Sequence, residues 1–70
     1  MTKIISTMAG SIFKVNVKVG DEVAAGDTVI VLESMKMEIP VDAETAGEVA
    51  EVHVNEGDFV NENDVLVTLK

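Results

Sequence analysis

Hydrophobic and polar residues alternate along much of this chain with the period of a strand. In Ile12-Phe13-Lys14-Val15-Asn16-Val17-Lys18-Val19 the valines at 15, 17 and 19 fall on one side and Lys14, Asn16 and Lys18 on the other, the mark of a half-buried strand. Val49, Val52 and Val54 lie in a second such run, and Thr28–Leu32 and Val65–Leu69 are continuous apolar runs short enough to be strands covered on both faces. Valine and isoleucine dominate the apolar set, and these stiff, β-branched side chains favour extended backbone. No apolar stripe of helical period persists for ten residues, so no substantial helix is expected. The pattern predicts strands over Lys3–Ser6, Ser11–Lys18, Glu22-Val23, Thr28–Ser34, Met37–Asp42, Glu48–Asn55, Phe59-Val60 and Val65–Leu69.

Turn signals separate the runs: Gly20-Asp21, Gly26-Asp27, Glu56-Gly57-Asp58 and Asn61-Glu62-Asn63-Asp64. Glycine and asparagine supply positive φ, and aspartate caps a turn with its own side chain. Two of these signals repeat. Displacing the chain by 37 residues lays Ala9-Gly10 on Ala46-Gly47, Val15 and Val17 on Val52 and Val54, Gly20-Asp21 on Gly57-Asp58, Val23 on Val60, Asp27 on Asp64 and Leu32 on Leu69. These are nine identities in the 25 ungapped pairs from Ala9/Ala46 to Glu33/Lys70, far above chance. Residues 1–70 therefore read as a single all-β domain with half-repeats at 9–33 and 46–70. The expected fold is an eight-stranded antiparallel sandwich or barrel with internal pseudo-two-fold symmetry and four strands per half. The termini lie at one end, and the link between the halves lies at the other.

Composition narrows the function. Seventy residues without cysteine make one small core with no disulfide or thiolate metal site to assist it. Thirteen acidic residues against five lysines leave a formal charge of −8, which argues against a phosphate backbone or an anionic membrane as partner. No stretch approaches the ~20 apolar residues of a membrane span, and no signal-peptide run opens the chain. A soluble, cytoplasmic protein is the expectation. His53, the one histidine, matches Asn16 in the repeat and reads as a solvent-side strand residue. Neither a nucleophile-base set nor a carboxylate cluster for a metal can be assembled, so an independent enzyme is not expected.

One stretch resists a purely structural reading. Glu33-Ser34-Met35-Lys36-Met37-Glu38 joins the two halves with neither glycine nor proline. With Met35-Lys36 as a two-residue turn, Ser34 faces Met37, Glu33 faces Glu38, Leu32 faces Ile39 and Val31 faces Pro40. Such turns want Gly, Asn or Asp, glutamates opposite one another repel, and Pro40 removes a ladder donor. Local rules tend to be broken where function intervenes. A lysine on a rigid, protruding tip suits a modifying enzyme, and an amide with a carboxylic-acid cofactor would make a swinging arm. A surface loop with a solvated lysine is the competing reading, and pattern alone does not separate the two.

These residues resemble the biotin/lipoyl attachment (biotinyl) domain family over essentially the full chain. Met35-Lys36-Met37 matches the biotin-attachment tripeptide, preceded here by Glu33-Ser34. Met8-Ala9-Gly10, Val19-Gly20-Asp21-Glu22-Val23 and Gly26-Asp27 match the lead-in, and Gly57-Asp58 and Val60 match the second half. The resemblance implies a flattened barrel-sandwich hybrid of eight strands with the lysine at a hairpin tip. It further implies biotin in amide linkage to Lys36, added by a biotin protein ligase, with Met35 and Met37 as flanking recognition residues. Glu33, Ser34 and Glu38 would serve ligase or partner recognition. The arm would accept carboxyl at a biotin carboxylase and deliver it at a carboxyltransferase. Lipoyl domains share the fold, so lipoate, added by a lipoate ligase, is the alternative cofactor. A docking module that has lost its cofactor is a further alternative, against which the intact Met-Lys-Met stands. The chain lacks the prolines many members carry before the two Gly motifs, reading Ser6-Thr7-Met8 and Ala43-Glu44-Thr45, which predicts looser turns there. The repeat leaves no room for the thumb insertion of some bacterial carriers. If the chain is a complete gene product it would be a free-standing carrier, and a monomer is expected.

Overall fold

A computed structural model describes residues 1–70. Eight strands form in order: β1 (Thr2–Ile5), β2 (Gly10–Val15), β3 (Glu22–Val23), β4 (Thr28–Ser34), β5 (Met37–Asp42), β6 (Gly47–Val52), β7 (Phe59–Val60) and β8 (Val65–Leu69). They make two four-stranded antiparallel sheets, ordered β1-β8-β6-β3 and β5-β4-β2-β7. Each sheet takes two strands from each half of the chain, so the repeats interlock and neither could bury its apolar face alone.

The 37-residue displacement carries one sheet onto the other, strand for strand, and it carries hydrogen bonds as well. Gly20 N–H donates to Val49 O and Val49 N–H to Asp21 O; one repeat on, Gly57 N–H donates to Ile12 O and Ile12 N–H to Asp58 O. Gly26 and Ala43 exchange bonds with Ala43 and Asp27 as Asn63 and Ser6 do with Ser6 and Asp64. Between the sheets lies the core, with Val29, Ile30, Leu32, Val49, Leu66 and Val67 fully buried. Register shifts between Ile12 and Lys14, and between Val49 and Glu51, are themselves related by the repeat. They are bulges that increase the local twist of the strands, and Phe13, at the first, is turned half outward.

Two predicted strands end early. β2 stops at Val15 and not Lys18, and β6 stops at Val52 and not Asn55. The cause is a turn device present four times. Lys18, Ala24, Asn55 and Asn61 each donate their backbone N–H to the carboxylate of the aspartate three residues on, at 2.8–2.9 Å. Each aspartate N–H bonds back to the carbonyl of the same residue. The residue before each aspartate has positive φ: Gly20 (96°), Gly26 (93°), Gly57 (93°) and Asn63 (73°). These are type II turns, which need glycine or asparagine there. The alternation runs on through Val17 and Val19 while the backbone has left the sheet, and Val19 is accordingly exposed.

The corners lacking proline are not loose. Ser6 is wholly buried, is bonded through its N–H to Asp64 O and through its carbonyl to Asn63 N–H, and donates its hydroxyl to Met8 O. Ala43, its counterpart, is buried and held by the equivalent pair of backbone bonds. These bonds restrain the corners where proline would restrict φ. No helix in the structure is long and apolar enough to cross a membrane.

The candidate site at the hairpin tip

β4 and β5 pair along their length with Val31 opposite Pro40, Leu32 opposite Ile39, Glu33 opposite Glu38 and Ser34 opposite Met37, the register predicted from the sequence. Leu32 is buried and Ile39 packs on the core beside it, so the apolar pair fixes the register against slippage. Pro40 is accommodated because β5 is an edge strand.

The turn itself has Met35 at φ 52° and Lys36 at φ 65°. Two consecutive residues in the left-handed region make the type I′ turn that matches strand twist. Side chains with a Cβ occupy that region at a cost of about 1–2 kcal/mol each. Met35 is 91% exposed and Met37 63%. Lys36, Glu33 and Glu38 are exposed, and Ser34 is half-buried. The Lys36 amine makes no ion pair or hydrogen bond; the chain's one ion pair joins Lys70 and Glu48, at 3.6 Å. Lys36 is thus a free amine on a rigid two-residue turn. The six residues singled out from the sequence are all brought together here.

Two more residues join them. β2 runs beside β4 with Ser11 opposite Glu33, and β7 runs beside β2 with Phe59 opposite Ser11. A row of outward side chains, Phe59–Ser11–Glu33–Glu38, therefore crosses the sheet just below the tip, and all four residues are exposed. Phe59 keeps 67% of its surface exposed. The sequence held one unused signal for it: the repeat aligns Phe59 with Glu22, a charged and exposed residue, so the fold does not require an aromatic there. Beneath the tip β2 and β4 come so close that a Cβ on Gly10 would lie 2.9 Å from the Glu33 carbonyl oxygen.

His53, just past the end of β6, is exposed, and its Nε2 lies 2.8 Å from the hydroxyl of buried Thr68. It gives Thr68 a hydrogen-bond partner and stands apart from the tip. No three His, Asp or Glu side chains gather as metal ligands would.

Comparison with known proteins supplies a context for this geometry. The family described as "Biotin-requiring enzyme" matches residues 2–69. The chain is 58% identical over 62 residues to a biotin/lipoyl attachment protein of Bacillus subtilis, spanning 89% of this chain and 85% of that one. It is 45% identical over 62 residues to the biotin carboxyl carrier protein of Streptococcus mutans, spanning 89% of this chain and 48% of the relative. Among solved structures, the Kluyveromyces lactis urea carboxylase superposes with a TM-score of 0.92 at 35% identity, over 99% of this chain and 6% of that enzyme. The region of that enzyme similar to this chain is thus a small fraction of its length.

Proposed function

This chain belongs to the biotin/lipoyl attachment family, and from that premise we propose that Lys36 is its attachment lysine and that it serves as a biotin carboxyl carrier. The observation that carries the reading is the tip: a free, exposed amine on a two-residue turn held in the left-handed region, flanked by two exposed methionines. A donor of activated biotin meets the base of the Lys36 side chain in the same place each time, because the turn and its register leave the backbone little freedom, while the flexible stem lets Nζ reach the acyl carbon. The amine lone pair attacks the activated carboxyl carbon, an amide C–N bond forms, the activating group leaves with its electron pair, and the surplus proton passes to solvent. Lys36 forms no ion pair with Glu33 or Glu38, so the amine has none to break first.

Bound biotin supplies a ring that carries carboxyl between two enzymes. The chain's own contribution is mechanical and adhesive. Met35 and Met37 offer adaptable apolar contacts to more than one partner surface, and Glu33 and Glu38 offer charges that basic groups on a ligase or carboxylase can read. The partners proposed are a biotin protein ligase, a biotin carboxylase and a carboxyltransferase.

The decisive experiment is intact-mass measurement after incubation with biotin protein ligase, biotin and ATP. One added biotin is expected on the native chain and none on Lys36→Ala. Exchanging Met35→Lys with Lys36→Met keeps composition and charge but moves the amine one position round the turn, and modification is expected to fail. Biotin on Lys36→Ala, or none on the native chain with an active ligase, refutes the assignment.

A second reading, lipoate on the same lysine, is favoured by the biotin/lipoyl attachment protein to which this chain is 58% identical. The amide chemistry at Nζ is the same for either acid. Lipoate ligase offered beside biotin ligase, each with its own acid, ranks the two by mass.

A further inference from the structure

The internal two-fold carries the sheet that ends in the tip onto the other sheet, so each outward position of one has a counterpart on the other. Val31 lies between buried Ile30 and Leu32 and points outward, as Thr68 does between Val67 and Leu69. Two outward rows cross the tip sheet, Phe59–Ser11–Glu33–Glu38 and Lys14–Val31–Pro40. On the other sheet their counterparts are Glu22–Glu48–Lys70 and Glu51–Thr68–Lys3. Between the rows stands the bulge residue, Phe13 on the tip sheet and Ala50 on the other. Four positions thus change character: Phe59, Phe13, Val31 and Pro40 match Glu22, Ala50, Thr68 and Lys3. None of the four apolar residues packs on the core. Phe59 keeps 67% of its surface exposed and Phe13 48%, Pro40 is exposed, and the chain has no tryptophan or tyrosine. On the other sheet His53 takes the Thr68 hydroxyl, and Lys3 and Glu22 are charged and exposed. The backbone accepts the polar set in one half, so it does not require the apolar set in the other. An exposed apolar strip that the fold does not require marks a protein contact.

We propose that the outer face of the β5-β4-β2-β7 sheet is a docking face for a biotin carboxylase, with Phe13 and Phe59 seated in an apolar recess rimmed by basic groups. The identity of the partner rests on Lys36 being the attachment lysine. The margins of the strip define the charge of what covers it. Glu33 and Glu38 border it toward the tip, Asp58 adjoins Phe59, Asp42 ends β5, and all four are exposed; Lys14 is the one cation among them. A second copy of this chain, itself at −8, brings the same acidic margins and is repelled. A surface with an apolar centre and a basic rim is complementary on both counts. An enzyme that gathers bicarbonate and a nucleotide, both anions, around the biotin ring has such a basic approach. Distance along the sheet separates it from a ligase. A ligase must bring its reacting centre to the bare Nζ, one lysine side chain from the turn, so its contacts concentrate at the tip. An enzyme that works on the far end of the loaded arm can hold the body further down the sheet, where Phe13, Val31 and Pro40 lie.

The first test is an NMR titration of the unloaded chain with biotin carboxylase. It needs no attached biotin, so it judges the face separately from the attachment assignment, which the mass experiment above decides. Amide signals of Phe13, Val31 and Phe59 are expected to shift or broaden, while those of Lys3, Ala50 and Thr68 on the other sheet stay in place. The second test uses chain confirmed by intact mass to carry one biotin. Combining Phe13→Ala with Phe59→Ala should raise the KM of biotin carboxylase for the carrier roughly ten-fold or more, the effect of losing interface anchors. The kcat should stay within about two-fold, since the lost contacts bind the carrier before and during reaction alike. Lys3→Ala with Glu22→Ala, on the opposite sheet, should leave KM unchanged. Added salt should raise the KM of the native chain. Both phenylalanines are exposed and outside the core, so the double variant is expected to fold, and its amide spectrum verifies this; Phe59→Ala alone should move KM in the same direction by less. An unchanged KM in the double variant overturns the proposal, as do shifts confined to residues 33–38. Slower loading by biotin protein ligase with an unchanged carboxylase KM overturns it too, by giving the face to the ligase. So does a dimer in sedimentation that the double variant abolishes, which would make the occupant a second copy.

Discussion

The two ends of this molecule are built on one backbone plan and obey local rules to different degrees. At the end holding the termini, Glu48 and Lys70 pair oppositely charged side chains, and a Cβ added at Gly47 would sit tightly, 3.3 Å from the Leu69 side chain, which has only to give by a few tenths of an ångström. At the tip end, Gly10 admits no Cβ without backbone movement, and methionine and lysine hold positive φ; facing glutamates occur at both ends, as Glu33–Glu38 and Glu22–Glu48. The two-fold keeps the strand pairing constant, and the tip turn needs positive φ but not methionine and lysine, so the residue choices there are not demanded by the fold. They mark where the sequence serves something other than stability.

The largest expected effect comes from comparing the paired glycines. Gly10→Ala puts a methyl group 2.9 Å from a carbonyl oxygen of the neighbouring strand, and overpacking against backbone costs about 2–3 kcal/mol. Gly47→Ala meets only side-chain atoms at 3.3–3.4 Å and a carbonyl oxygen at 3.5 Å, so about 1 kcal/mol or less is expected by the same reasoning. Urea denaturation of both variants checks the order. Equal losses would show that the tip end is not the tighter of the two.

Next in size is the turn device. Gly57→Ala forces a Cβ residue to φ 93° and is expected to cost about 1–2 kcal/mol, or roughly 4–16 °C in Tm for a domain of this size. Asp58→Ala removes the carboxylate that holds Asn55 N–H at 2.8 Å and should cost about 1 kcal/mol. Met35→Asn goes the other way. Asparagine tolerates the left-handed region, so a gain of about 0.5–1 kcal/mol is expected, measured by the same denaturation. A loss would mean that Met35 contributes packing despite its 91% exposure.

These turns also show what could be read from the sequence. The Gly-Asp and Asn-Asp pairs located all four, because each residue type answers one physical need of a type II turn. The tip register was legible because only one alignment sets Leu32 against Ile39 and both inward. The strand ends were not. Val17 and Val19 prolong the alternation of β2, yet the Asp21 carboxylate has already taken the N–H of Lys18, and a side-chain cap leaves no mark in hydrophobic period. Nor was the interleaving of halves in each sheet, since a repeat fixes equivalence and not which copy a strand pairs with. Phe59 escaped for the same reason: Ser11, its neighbour across the sheet, is remote in sequence, and only the registers of β2 with β4 and β7 bring the aromatic beside Lys36.

The smallest expected effect tests whether the tip row belongs to the fold at all. Combining Ser11→Glu with Glu33→Lys writes the Glu48–Lys70 pair of the far end into its two-fold counterpart. The backbone there already accepts this pair one repeat on, and the replaced side chains are exposed. The new pair is worth about 0–1 kcal/mol like other exposed ion pairs, and it removes the repulsion between Glu33 and Glu38, itself a few tenths of a kcal/mol. The stability change should therefore be a gain of no more than about 1 kcal/mol that shrinks in high salt, as screening of surface charges requires. A loss above that size would show that Ser11 and Glu33 are needed by the sandwich, and the contrast between the ends would then be structural in origin. A small gain leaves the exposed row beside Lys36 without a structural reason to exist.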